Sequence, residues 1–367
     1  MMNNNAISIY IHIPFCEQKC NYCAFNSFCA SEKVKDEYVD ILCKEIESRK
    51  VGTKVKTIYI GGGTPSVLSE SQIEKIFDAI FENYNVARDA EITVEANPNS
   101  ITKNKLKKWE SLKINRLSIG VQSLDDENLR KLGRLHDREM ALEKIEIAKK
   151  YFENVSADLI VGLENESGDN LCEHADTLLK LGVKHISCYL LEVYENTKLF
   201  ELVKNNKYLP LSDDETIDAF EKLAEFLEEC GMQRYEISNF AFPGFESKHN
   251  LNYWQRGEYL GFGLSAHSFV KNVRFKNADT LTGYKNHEIQ AEKLSDSEVL
   301  EEIIMLGLRC RIGVSLKELK QKNYDIQTNA NFKKYLDLGI LNVKNDRFFL
   351  NPKFYDVSNT IISDLLP

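Results

Sequence analysis

The chain is poor in proline and tryptophan, with 7 Pro and 2 Trp in 367 residues. That scarcity excludes collagen-like, mucin-like and proline-rich linker classes. No stretch approaches the roughly 18–20 uncharged apolar residues of a membrane-spanning helix. An excess of positive charge is also missing: 47 Lys and Arg stand against 56 Asp and Glu, a net charge of −9. The total therefore lacks the phosphate-neutralising surface of a non-specific nucleic-acid binder. The start, MMNNNAISIYIHIP, has no basic segment or cleavage site of an export signal, so the expected address is the cytoplasm. At 43% hydrophobic and 28% charged residues the composition is that of a folded globular protein. Cysteine is the exception to the scarcity. There are 9, an odd number, and Cys16, Cys20, Cys23 and Cys29 crowd together near the N-terminus. A disulfide framework spreads its cysteines, so in a reducing compartment this clustering predicts thiolate chemistry.

Short β-branched or aromatic runs alternate with helix-period segments. The strands are predicted at Ile7–Ile13, Val55–Ile60, Glu91–Glu95, Arg116–Val121, Asn154–Ile160 and His185–Leu191. Amphipathic helices are predicted between them at Lys35–Lys50, Ser71–Tyr84, Lys103–Leu112, Arg138–Lys150 and Asp169–Leu181. Ser69-Glu70-Ser71-Gln72 and Asp137-Arg138-Glu139 carry helix-start chemistry. Six β-α units are too few for a closed eight-stranded barrel. They predict an α/β fold, a partial (β/α)6 barrel whose working face lies at the C-terminal ends of its strands. The division expected is a barrel domain over residues 1–285, with an extended segment after its last unit, and a small α-rich domain over 286–367.

Cys16, Cys20 and Cys23 form a C-x3-C-x2-C run directly after the first predicted strand. Structural zinc requires four closed ligands, and no second cysteine pair follows at zinc-ribbon spacing. A loop completed by His12 or Cys29, or simply buried thiols, are the alternatives. Three thiolates leave one metal position open, which suits an iron–sulfur cube with one iron free for another ligand. The later cysteines, Cys43, Cys172, Cys188, Cys230 and Cys310, fall in helix or strand patterns and are expected to be small buried residues. Gly61-Gly62-Gly63-Thr64-Pro65 follows the second strand and allows close approach of backbone to a ligand. Glu95 and Gln122 end the third and fourth strands and Asp158 sits on the fifth, the expected lining of a barrel-type site.

Tyr10-Ile11-His12-Ile13-Pro14-Phe15-Cys16, with Cys20, Tyr22 and Cys23, resembles the radical S-adenosylmethionine (SAM) superfamily. The flanking sequence resembles its oxygen-independent coproporphyrinogen III oxidase-like branch over nearly the whole chain. The resemblance implies a [4Fe–4S] cluster on Cys16, Cys20 and Cys23, with SAM chelating the fourth iron. It further implies that Tyr10, Gly62 and Glu95 line a first SAM position. Tyr22, Gly63, Thr64, Gln122, Arg134 and Asp158 would surround a neighbouring second one.

Two features select within the branch. His249-Asn250-Leu251-Asn252-Tyr253-Trp254 is similar to the H-N-x-x-Y-W signature of the HemW heme chaperone family, which implies heme binding by His249, Asn250, Tyr253 and Trp254. The oxidase carries a further cysteine two positions after the last ligand, where this chain has Phe25 in Cys23-Ala24-Phe25-Asn26-Ser27. The implied role is heme delivery to acceptor proteins such as respiratory heme enzymes. The alternative is the oxidase reaction itself, oxidative decarboxylation of coproporphyrinogen III, and a heme-cleaving enzyme of the same branch is a third reading. Gly261–His267 is expected to approach the pocket through its backbone.

Overall fold

The structure is a computed structural model and describes residues 6–367; residues 1–5, part of the start segment just discussed, lie outside it. All six expected strands form: β1 Ala6–Ile13, β2 Lys54–Gly62, β3 Val86–Ala96, β4 Arg116–Gln122, β5 Asn154–Val161 and β6 His185–Leu190. They pair in parallel in chain order. The connecting helices are Glu32–Ser48, Glu70–Asn83, Lys103–Ser111, Arg138–Ala148 and Gly168–Lys180, with an additional short turn of helix at Asp126–Lys131. Their starts follow side-chain chemistry. Ser69 and Gln72 close a reciprocal capping box, and the Asp137 carboxylate accepts from Met140 N.

Alternation along each strand separates two chemistries. Ile7, Ile9, Ile11 and Ile13 of β1 join Ile58, Ile60, Val94, Leu117 and Ile119 in the main core with the helices. The intervening positions carry polar groups. Tyr10, Tyr59, Thr93 and Arg116 form one cross-strand row. Glu95, Ser118, Ser156 and His185 form a second, and Gly120, Asp158 and Ser187 a third. The concave face of the partial barrel is thus a polar wall backed by an apolar layer.

The sheet extends past the six units to 12 strands among the described residues. Tyr259–Phe262 runs parallel to β1, followed outward by His267–Val270, Val273–Asn277 and Ile289–Lys293. On the other edge Asn239–Ala241 pairs antiparallel to β6. The glycine-rich Gly261–His267 does not reach the pocket as expected. A Cβ on Gly263, which has φ +100°, would lie 2.5 Å from His12 O. The segment's glycines serve close packing against β1 instead.

A second hydrophobic core gathers Val299, Ile304, Leu308, Leu319, Phe348, Leu350 and Leu365. Its helices, Asp296–Gly307, Leu316–Gln321, Ala330–Asp337 and Ser358–Leu365, are joined by a three-stranded antiparallel sheet of Val314–Ser315, Leu341–Lys344 and Arg347–Leu350. Apart from Phe269, contributed by the larger sheet, this core begins at Leu294. The strand Ile289–Lys293, past residue 285, is hydrogen-bonded to the larger sheet. Arg234 joins the two parts. Its guanidinium lies 3.1 Å from Asp356 and packs over Phe220 and Tyr355, while Arg311 N donates to Tyr235 O.

Candidate cofactor and ligand cavity

A cavity of about 630 Å³ opens at the C-terminal ends of β1–β6, within the size range of small-molecule sites. Cys16, Cys20 and Cys23 all line it, as do Tyr22, Gly62, Gly63, Thr64, Glu95, Gln122, Arg134, Asp158 and Asn250. Tyr10, His249, Tyr253 and Trp254 do not. The structure also contributes residues not singled out from sequence: Tyr59, Asn97, Arg116, Ser118, Ser187, Tyr189 and Tyr194. The polar alternation of the strands already contained the signal for Tyr59, Arg116, Ser118 and Ser187.

The cysteine loop is held by backbone bonds. Cys16 N donates to Phe28 O, Asn21 N to Leu132 O, and Leu199 N to Asn21 O. Asn21 Nδ2 and Gln18 Nε2 add bonds to Lys131 O and Gly133 O. The three thiols are free and half-buried. Burial raises the pKa of Cys16, while the Thr64 hydroxyl, 3.5 Å from its sulfur, opposes the shift. No three His, Cys, Asp or Glu side chains among the described residues converge on a single ion. A cube gives each thiolate its own iron, so three thiols lining one open space suit an iron–sulfur cluster. Cys29 is exposed and its thiol is directed to Glu17 O, outside the cavity. Of the other cysteines, Cys188 and Cys310 are buried as expected and Cys43 and Cys172 half-buried. Cys230 is exposed because it falls at the C-cap of the helix Asp213–Glu229.

The glycine segment forms the facing wall. Gly62 has φ +115°, and a Cβ there would lie 2.6 Å from the His12 ring. A Cβ on Gly63 would stand 3.1 Å from Cys16 Sγ and 2.7 Å from Phe15 O, so only glycine permits this approach to the thiol. Gly63 N and Thr64 N donate to Ile13 O and Phe15 O, locking the glycine segment to the cysteine loop.

Arg134 organises the end of the cavity beside the cysteine loop. Its Nη2 donates to Asn97 Oδ1 at 2.7 Å and Gly120 O at 2.6 Å, and its Nη1 lies 3.4 Å from Cys20 Sγ. Asn97 Nδ2 continues the chain to Thr64 Oγ1 at 3.1 Å. Gln122, with φ +70°, turns the end of β4 through a left-handed conformation beside this network. Tyr22 packs on the small apolar cluster of Leu132, Ile160 and Leu163.

Deeper in the cavity the carboxylates dominate. Glu95 accepts from Tyr59 OH at 2.7 Å and Gly62 N at 3.1 Å, and its burial pushes the pKa up to about 7. Asp158 accepts from Ser118 Oγ at 3.1 Å and is likewise shifted up by burial. Glu95, with its pKa near neutrality, can donate as well as accept hydrogen bonds to hydroxyl or carboxylate groups of a ligand, and the shift of Asp158 runs in the same direction.

The helix Lys248–Trp254 closes the floor. Lys248 N and His249 N each donate to the Glu91 carboxylate at 3.0 Å. The His249 ring is 1% exposed, and both its nitrogens are engaged: Nδ1 is 2.7 Å from Thr57 Oγ1 and Nε2 is 2.8 Å from Tyr253 OH. Burial, with Arg116 and Lys56 nearby, drives its pKa down to about 3, so it is neutral. Tyr253 stacks edge-on against His249 and Tyr259. Trp254 lies against the Glu236 carboxylate. Tyr10 backs the wall, its hydroxyl 3.0 Å from His12 Nδ1. The structure thus brings together the cysteines, the glycines and the strand-end polar residues. Of the four heme-binding candidates, only Asn250 reaches the cavity.

Exposed apolar side chains stand at the cavity mouth, interspersed with the polar Gln18 and Glu192. Phe25 is 71% exposed, and Tyr189, Leu190 and Tyr194 are exposed beside it on the β6 side. The described residues contain no helix long and apolar enough to cross a membrane.

Residues 10–178 match the model of the radical SAM superfamily, and residues 294–353 match that of the HemN C-terminal domain. The chain is 38% identical over 333 residues to the heme chaperone HemW of Bacillus subtilis (strain 168), covering 86% of each protein. It is 32% identical over 368 residues to the HemW of Lactococcus lactis subsp. lactis (strain IL1403), covering 98% of this chain and 97% of that one. The fold of the Escherichia coli coproporphyrinogen III oxidase HemN, described as a radical SAM enzyme, superposes with a TM-score of 0.83 at 22% identity over 98% of this chain and 90% of the other. These matches agree with the cavity's three thiols, glycine wall and strand-end carboxylates: the chain belongs to the radical SAM superfamily, in its HemW-like branch.

Proposed function

We propose that this chain is a heme chaperone: it binds a [4Fe–4S] cluster, SAM and heme, and passes heme to acceptor proteins, respiratory heme enzymes among them. The observation that carries the reading is the convergence of Cys16, Cys20 and Cys23 with Gly62, Gly63, Thr64, Glu95, Gln122, Arg134 and Asp158 on one cavity of a HemW-like chain. In this reading the cysteines hold the cluster and the glycine segment keeps backbone close to it. Arg134, Asn97 and Thr64 fix the cysteine loop by hydrogen bonds. Glu95, Gln122 and Asp158 offer hydrogen bonds to the polar parts of SAM. When bound, cluster and SAM supply one-electron reductive chemistry that the side chains alone lack. The cytoplasm suits it, since reducing conditions keep the thiols available.

The same cavity could serve the oxidase reaction, but Phe25 replaces the additional cysteine expected of that enzyme and projects at the mouth. One reconstituted sample, prepared without oxygen, decides between the two. Spectral titration with heme should show saturable binding, while incubation with coproporphyrinogen III, SAM and a reductant should leave the substrate unconverted. Protoporphyrinogen formation without heme binding would assign the chain to the oxidase instead.

A further inference from the structure

Arg116 is the buried charge that the reading above leaves without a task. It starts β4, is 2% exposed, and lines the cavity. Its Nε has no hydrogen-bond partner. Among the described residues no carboxylate lies within ion-pair distance of its guanidinium. The two acids on the flanking strands β3 and β5 are already committed, Glu95 to Tyr59 and Gly62, and Asp158 to Ser118. A buried guanidinium without a partner is costly, because its desolvation is not repaid by any bonded anion. Its planar fork matches a carboxylate in bidentate geometry.

We propose that Arg116 receives a carboxylate of the bound tetrapyrrole, a heme propionate, on the floor of the cavity. The inference rests on the chaperone reading and names a contact that reading does not contain. Heme combines a flat apolar body with two carboxylates. The cavity has the complementary arrangement, with Phe25, Leu190, Leu191 and Tyr194 toward the mouth and one unpaired cation at depth. Glu95 and Asp158, both shifted toward the protonated form by burial, face the same space without excluding a single added carboxylate. SAM also carries a carboxylate, but the cluster end already has its own cation in Arg134, beside Cys20. Arg116 lies four residues before Gly120, whose carbonyl Arg134 holds, which is about 13 Å along the strand.

The test compares heme with heme dimethyl ester, which keeps the macrocycle and iron and loses both charges, on the cluster-loaded protein. Wild-type protein should bind heme at least about tenfold more tightly than the ester. Arg116→Gln should lower heme affinity to that of the ester and leave ester binding unchanged. Arg116→Lys, which keeps the charge without the fork, should fall between. Equal affinity of the wild-type protein for heme and ester overturns the proposal without needing any variant to fold. So does an Arg116→Gln protein that keeps the wild-type preference. If that variant instead loses the change SAM induces in the spectrum of the reduced cluster, while its preference for heme persists, the carboxylate served is SAM's and the proposal falls. A wild-type protein that binds neither tetrapyrrole removes the chaperone reading itself, whereas binding of both with equal strength removes only the role of Arg116.

Discussion

Thr57 Oγ1 lies 2.7 Å from Nδ1 of His249, and this contact pins the floor helix to the inner face of β2. The imidazole is neutral there, held far below its usual pKa by burial. An unfolded His249 takes up a proton near pH 6.5, whereas the folded one takes it up only near pH 3. The unfolded state therefore binds more protons between those values. The contribution of His249 to stability is complete above about pH 6.5 and is lost as pH falls through the window toward 3. At pH 5.5 about 1 kcal/mol of it should be gone. His249→Gln should show that much less destabilisation than the wild type on moving from pH 7.5 to 5.5, measured by urea denaturation. An identical pH response in the two proteins would mean that this ring does not stay neutral in the fold.

Gly62→Ala should damage both fold and cluster loading. The new methyl group would meet the His12 ring at 2.6 Å in a backbone conformation of φ +115°. A destabilisation of about 2 kcal/mol is expected. A calorimetric midpoint within one degree of wild type would show that the glycine segment can relax.

The cysteines divide sharply by position. Cys16→Ala, Cys20→Ala and Cys23→Ala should each fall well below about four iron and four sulfide per chain after anaerobic reconstitution. Cys29→Ala should load fully, because its sulfur faces Glu17 O and not the cavity. Iron and sulfide analysis of the four variants side by side is sufficient, and a full load in any of the first three would remove the cluster assignment.

Arg234→Ala should loosen the C-terminal part. The guanidinium pairs with Asp356 at 3.1 Å and donates to Ile237 O, with only 6% of its side chain exposed. Removing it leaves the Asp356 carboxylate without its cation, at a cost of about 3 kcal/mol. Limited proteolysis should then cut first near residues 286–295, and an unchanged digestion pattern would place the coupling elsewhere.

Much of this was legible in residues alone. The alternation Ser8, Tyr10, His12 against Ile7, Ile9, Ile11 announces a strand with one polar face, and the cysteine spacing announces the cluster loop. Glu95, Gln122 and Asp158 fall where strand-end logic puts them, all on one cavity. Three things were hidden. The engagement of His249 depends on Thr57, a partner 192 positions away in sequence. The isolation of Arg116 is a property of what fails to pair with it, which no local pattern encodes. The small C-terminal sheet includes Val314–Ser315, a strand of 2 residues, too short to leave a period in the sequence.

The cysteine loop is fastened to its surroundings by Asn21, Gln18 and the backbone of Cys16 and Leu199, none of which requires metal. The atoms that fasten the loop are thus distinct from the three sulfurs, unlike those of small domains whose only fastening is their metal. An oxidised centre could then be stripped and rebuilt on the intact protein, repair in place of replacement after each exposure to air.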